Sequence, residues 1–235
     1  MNFLLINKPG GWTSFDVVAF VRNRVKKTAL PEKQKRVKVG HAGTLDPFAT
    51  GLLIVGVGRE ATKKLDEFKN MPKTYIATIK LGETSDTYDK TGNITPYEHT
   101  PTPLNRGESK IPPNKEGEPL VAVQEVLAGF IGKQLQIPPM FSAKQINGQR
   151  LYQLARKGIT VERQANEIEI YKIKLLNYAW PVLKIEVQCS AGTYIRTLAH
   201  DIGAKLGVGA YCQELMRTKI GDYTLKHATN IKDIT

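Results

Sequence analysis

Residues 52–57 read Leu-Leu-Ile-Val-Gly-Val, six positions without one polar side chain. A run of that kind is the pattern of a strand buried on both faces. Any fold available to this chain must therefore lay cover on either side of it. Directly ahead stands a single acid. The stretch GHAGTLDPFATG, from Gly40 to Gly51, holds one carboxylate, Asp46, between Leu45 and Pro47, and the next acid is Glu60. Asp-Pro is a turn signal. The sequence thus places one carboxylate in a tight turn just before a buried strand.

The remaining periodicities set the architecture. Phe3–Asn7 reads as a first strand, stopped by Lys8-Pro9-Gly10-Gly11. A helix then starts at Thr13, with Asp16 completing a variant capping box and Val17, Phe20, Val21 and Val25 forming its apolar face. Gly56 and Gly58 let a further helix begin tightly after the buried strand; as a nucleotide loop the pattern lacks its third glycine and any GK[ST]. Thr74–Leu81 alternates, with Tyr75, Ala77, Ile79 and Leu81 on one face. Residues 92–119 are rich in proline, glycine and polar groups and read as a surface loop. Val123, Val126, Leu127, Phe130 and Ile131 mark a helix, and Ile168–Leu175 a strand. Leu183, Ile185, Val187 and Cys189 alternate with polar residues. Ile195, Leu198, Ala199, Ile202 and Leu206 describe one helix face closed by Gly207. Strands and helices intermix without regular βαβ alternation, which predicts an α+β fold with a mixed sheet, in one domain spanning 1–235.

Charge narrows the partners. Lys plus Arg is 34 against 22 for Asp plus Glu, a net charge of +12. Such a surplus suits a polyanion, and equally a merely basic surface. Two stretches concentrate it. Residues 26–38 continue a basic helix end, and from Arg22 to Lys38 eight Lys or Arg accompany one acid, Glu32. Residues 137–158 hold Lys144, Arg150, Arg156 and Lys157 interleaved with Phe141 and Tyr152, and no acid occurs between Glu125 and Glu162. Basic residues among aromatics suit a segment lying on RNA; an ordinary loop and short helix with inward aromatics fits as well.

Several chemistries find no support. No GxSxG elbow carries a serine nucleophile. Two distant cysteines, Cys189 and Cys212, and four scattered histidines make no metal spacing, and the cysteines read as reduced, as in a cytoplasmic protein. The N-terminus has no basic region or cleavage site of a signal peptide, and no window is long enough to span a membrane. A glycosidase-type pair would need a second acid near Asp46; none is evident locally, though Asp86 and Asp89 could approach in space. What remains is one placed carboxylate, which can act as nucleophile or base if it is kept ionised, with Arg196 a candidate neighbour.

Six stretches together resemble one family. GHAGTLDPFATGLL is similar to the motif around the catalytic aspartate of TruB-type tRNA pseudouridine-55 synthases. INKPGGWTSFDVV, KTYIATIKLGETSDTYDKTG, PPMFSAKQINGQRLYQLARKG, SAGTYIRTLAHDIG and LMRTKIGDYTL resemble the family's other motifs in the family's order. One position departs from it: many members read Ser-Ala-x-Lys where this chain has Ser142-Ala143-Lys144-Gln145.

The resemblance implies a pseudouridine synthase fold, a mixed and largely antiparallel sheet flanked by helices. It implies Asp46 as nucleophile, Tyr75 stacked on the target uracil, Tyr194 also against that base, and Arg196 paired with Asp46. It places His41 and Leu215 against the RNA and Lys73 and Lys8-Pro9 in support of the site. It implies tRNA as the partner, gripped at the T-loop by 137–158, with no metal, no cofactor, no obligate protein partner and a monomeric, cytoplasmic enzyme. It also implies a short form without the C-terminal PUA domain of longer relatives. Taken singly, each residue has a structural reading: Tyr75 and Leu215 as core, Tyr194 as packing at a helix start, His41 and Asp46 as turn residues. A synthase with another RNA target, and a protein that helps tRNA fold by binding the T-loop, are the alternatives.

Overall fold

The computed structural model describes residues 2–28, 37–98, 118–142, 144–146 and 148–234. Most of the expected 92–119 loop and the middle of the basic segment 26–38 lie outside them. Among the described residues the strands are β1 (Asn2–Lys8), β2 (Val39–Ala42), β3 (Thr50–Val57), β4 (Lys73–Leu81), β5 (Glu83–Ser85), β6 (Ile94–Pro96), β7 (Gly132–Gln136), β8 (Gln145–Ile146), β9 (Gln149–Arg150), β10 (Asn166–Ala179), β11 (Val182–Cys189), β12 (Ala210–Ile220), β13 (Tyr223–Thr224) and β14 (Thr229–Asn230). Helices span Ser14–Thr28, Arg59–Lys63, Leu65–Lys69, Glu118–Ala128, Leu151–Ala155 and Ile195–Lys205. The backbone divides into two compact units, residues 1–76 with 215–235, and residues 77–214.

The first unit is organised around β3. One edge of β3 pairs antiparallel with β1 along its whole length, from Asn2 opposite Val57 to Lys8 opposite Gly51. The other edge changes partner partway: β2 pairs antiparallel with residues 54–57, and β12 pairs parallel with Thr50 and Gly51. Alternate side chains of β3 then enter two different cores. Leu53 and Val55 pack with Ile6, Val39 and the helix residues Val17, Val18 and Val21. Leu52 and Ile54 pack with Ala42, Leu65, Phe68 and Ile220. Burial on both faces is why the run carries no polar side chain. The helix Ser14–Thr28 begins as expected: Asp16 N–H donates to Thr13 Oγ1 at 3.1 Å, and Asp16 Oδ2 accepts from Thr13 N–H at 2.7 Å. Gly58, at φ 90°, turns β3 directly into the helix Arg59–Lys63.

The second unit takes β4 from Ala77 onward and holds the order β4-β11-β10-β7, with β10 antiparallel to both neighbours. β11 alternates buried and open positions as its sequence predicts. β10 runs longer than Ile168–Leu175 because two bulges, near Ile170 and Leu175, let it bend and keep pairing. The helix expected through Ile131 stops at Ala128; Phe130 and Ile131 close it with short-range backbone bonds, and Ile131 is half exposed. Gly207 ends the helix Ile195–Lys205 at φ 70°, as its position predicts. Parallel contacts, among them β1 with β14 and β3 with β12, stand among antiparallel pairs, so the α+β expectation with a mixed, largely antiparallel sheet holds.

Candidate active site

Asp46 sits in the loop between β2 and β3, where the second edge of β3 passes from β2 to β12. The turn itself is closed by Ala49 N–H donating to the Asp46 carbonyl at 3.1 Å. Four groups fix it from outside. Ser14 Oγ accepts from Leu45 N–H at 2.9 Å and lies 3.3 Å from the Leu45 carbonyl. Gly11 N–H donates to the Pro47 carbonyl at 2.8 Å. Lys8 Nζ reaches the carbonyls of Trp12, Pro9 and Pro47 at 2.6, 2.8 and 3.3 Å. Arg217 Nη2 donates to the Gly43 carbonyl at 3.0 Å while its Nε donates to Leu52 at 2.8 Å, so one guanidinium spans both ends of the loop. Gly51 is required there: at φ 102°, a Cβ would run into the Arg217 backbone of the paired strand.

The electrostatics are those of a cationic, sheltered turn. Lys8 and Arg217 are both fully buried. Burial pushes the Lys8 ammonium down from 10.5 to about 8, against the pull of the Asp46 carboxylate and together with repulsion from Arg217. His41, on β2 opposite Val55, is pushed down to about 4 by burial first, then by the Arg217 and Lys69 charges. Its imidazole is neutral at pH 7, and its buried Nδ1 has no hydrogen-bond partner among the described residues. The ring of Phe15 meets it edge to face at 5.3 Å.

The other expected residues of this unit are buried strand positions. Tyr75 on β4 is 9% exposed. Lys73, two residues earlier, is buried, and its ammonium donates to the carbonyls of Phe68, Met71 and Lys69 at the end of the helix Leu65–Lys69. It thereby fixes where β4 starts. Leu215 on β12 is buried, and its carbonyl faces Thr50 Oγ1 at 3.5 Å, at the point where β12 joins β3.

Tyr194 and Arg196 belong to the second unit. Tyr194 precedes the helix Ile195–Lys205, and its backbone is clamped by the Gln136 amide, which accepts from Tyr194 N–H at 2.7 Å and donates to its carbonyl at 3.0 Å. Arg196 is 2% exposed. It forms an ion pair with Asp89 at 3.3 Å and donates to the carbonyls of Thr87 and Phe141 at 2.9 and 2.8 Å. Asp89 also accepts from Thr87 and Thr91, so the carboxylate that orients the guanidinium is itself held. Between them Tyr88 adopts φ 62° and stacks on His200 at 4.1 Å.

Three positions went unread in the sequence. Ser14 stands inside INKPGGWTSFDVV with no sequence signal that its hydroxyl reaches Leu45. Asp89 was weighed only as a second acid and not as the partner of Arg196. Arg217 carried a signal: it stands two residues from Leu215 and so shares its buried face, where a cation demands a reason. Among the described residues no group of three His, Cys, Asp or Glu side chains could hold a metal ion, and no helix is long and apolar enough to cross a membrane.

Residues 27–195 match the family model described as TruB family pseudouridylate synthase, N-terminal domain, and residues 196–235 match that of the tRNA pseudouridylate synthase B C-terminal domain. The chain is 46% identical over 234 residues to the tRNA pseudouridine synthase B of Parabacteroides distasonis, covering 98% of this chain and 90% of that one. It is 47% identical over 233 residues to the protein of the same name in Syntrophomonas wolfei, covering 97% and 70%. Among solved structures, a chain of a Cbf5–Nop10–Gar1 complex superposes with a TM-score of 0.66 at 25% identity, covering 98% of this chain and 52% of that one. A chain of an H/ACA ribonucleoprotein bound to a substrate RNA gives 0.64 at 24%, covering 98% and 51%. The chain therefore spans about half the length of these two solved chains.

Proposed function

The chain belongs to the TruB family of pseudouridylate synthases, and on that premise we propose that it isomerises uridine 55 in the T-loop of tRNA with Asp46 as the nucleophile. The reaction breaks the bond from uracil N1 to the ribose, turns the base, and closes a new bond from uracil C5. A proton leaves C5 and one is gained at N1. Nothing is oxidised and no group is imported, so side chains suffice. The target must leave its stack to be reached, which calls for an aromatic platform. Tyr75 fills that role in this reading, Tyr194 meets the same base, and Arg196 pairs with Asp46. His41 and Leu215 face the RNA, while Lys73 and Lys8 hold the backbone around them. The basic segments 26–38 and 137–158 supply phosphate contacts. The enzyme works in the cytoplasm as a monomer, without a guide RNA or protein partner.

The observation that carries this reading is the mounting of Asp46. The backbone of the short turn that carries this single carboxylate is tied from outside at Gly43, Leu45 and Pro47 by Arg217, Ser14, Gly11 and Lys8. Such a mount fixes the backbone from which the carboxylate extends, and a nucleophile requires a fixed base of that kind.

The purified chain is expected to form pseudouridine at one position of an unmodified tRNA transcript. Asp46→Asn is expected to form none while keeping its affinity for that transcript. Product in the Asp46→Asn variant, or product from the wild type only when a guide RNA is added, would overturn the proposal.

A further inference from the structure

Phe15 is the most exposed aromatic side chain among the described residues, 60% accessible. It is nonetheless tightly mounted. Its backbone lies inside the Thr13–Asp16 capping box and follows Ser14, which is bonded to the backbone of Leu45, the residue before Asp46. Its ring meets His41 edge to face, with centroids 5.3 Å apart and planes at 85°. His41 is in turn set by the β2–β3 register and offers a buried Nδ1 with no partner among the described residues. A lone exposed phenylalanine usually needs no explanation. Here both mounts tie the ring to the segment that carries Asp46. A phenyl group that is 60% exposed and braced edge to face against a neutral imidazole offers apolar surface on which a base can stack.

We propose that Phe15, braced by His41, forms an aromatic shelf that takes one unpaired nucleobase of the T-loop, a neighbour of the uridine being isomerised. The inference rests on the reading of the chain as a tRNA pseudouridine synthase and adds a binding residue to it. When the target uridine leaves the stack, the adjoining base loses the cover of one face. The shelf replaces that cover. Stacking tolerates any base, so the shelf contributes affinity and fixes the path of the strand past Asp46 without reading sequence.

The test compares the wild type with Phe15→Ala, Phe15→Leu and Phe15→Trp for binding to synthetic T-stem-loop hairpins. One hairpin is intact, and the others carry an abasic nucleotide at single positions flanking the target uridine. Phe15→Ala is expected to bind the intact hairpin about 10-fold to 100-fold more weakly. Phe15→Trp keeps the affinity and Phe15→Leu falls between. On the hairpin that lacks the contacted base, wild type and Phe15→Ala converge. Thermal unfolding of Phe15→Ala should match the wild type, because the ring is largely in water. Unchanged affinity in Phe15→Ala, or an equal loss on every abasic hairpin, overturns the shelf. Failure of the wild type to modify tRNA would instead overturn the functional reading, while the base-by-base comparison of binding still tests the shelf.

Discussion

Asp46 shows how much of a reactive residue's behaviour is decided by its neighbours. The turn that carries it is bracketed by two buried cations, Lys8 and Arg217, and by a histidine kept neutral. His41 makes a pH prediction with a definite sign. Its pKa falls from 6.5 in the unfolded chain to about 4 in the fold. Between those values the unfolded chain binds the extra proton, so its contribution is fully present above pH 6.5 and is lost as pH falls through 4. Chemical denaturation from pH 7 to pH 4 should show wild-type stability falling by more than that of His41→Phe, with the difference confined to this window. Lys8 acts in the alkaline range: its depressed pKa means stability rises with pH between about 8 and 10.5. Of this setting, the acid and its turn were legible in the sequence from Asp46-Pro47 and the apolar run behind them. Arg217 was not, because a cation inside an alternating strand shows its position but not what its guanidinium bridges.

Among elements, β3 does the most. Its odd residues feed one core and its even residues the other, and its two edges are held by three strands. The Asp46 loop leaves at the point where one edge changes partner, so the loop inherits the rigidity of a strand fixed on all sides. The helix Ser14–Thr28 adds the latch between Ser14 and Leu45. Ser14→Ala would leave the Leu45 N–H buried without its acceptor, which costs about 1–3 kcal/mol. Thermal unfolding should record the loss. Single-turnover pseudouridine formation should slow by more than tRNA binding weakens, since the latch is buried and holds the residue next to Asp46. The same helix start was readable from Thr13 and Asp16, because a capping box is a local device. The latch was not, since it joins residues 31 apart in the chain.

At the scale of the molecule the dominant fact is a net charge of +12. A tRNA is a polyanion, and binding that rests on phosphate contacts releases counterions. Affinity for tRNA should therefore fall steeply with salt, by on the order of 100-fold or more between 50 and 200 mM. A flat salt response would show that stacking and shape carry the binding instead. Charge-neutralising changes within 144–157, such as Lys144→Gln with Lys157→Gln, should reduce that slope while leaving the Asp46 turn intact. Of the residues named in the proposal, Asp46, His41, Lys73, Tyr75 and Leu215 belong to the first unit, and Tyr194 and Arg196 to the second.

The sequence by itself determined what depends on near neighbours and on composition. Periodicity gave β3, β11 and the helix Ile195–Lys205, since burial on one or both faces leaves a repeat of two or 3.6 residues. Turn chemistry placed Asp46, and six motifs in order pointed to the family and to a reaction on tRNA. The tertiary structure alone decided which groups hold that acid and that arginine. Lys8 on Pro47, Ser14 on Leu45, Arg217 across Gly43 and Leu52, and Asp89 on Arg196 are bonds between residues far apart in the chain, or between a side chain and a distant carbonyl. Such bonds depend on where the backbone has already been brought by packing, and no local pattern in the sequence records that.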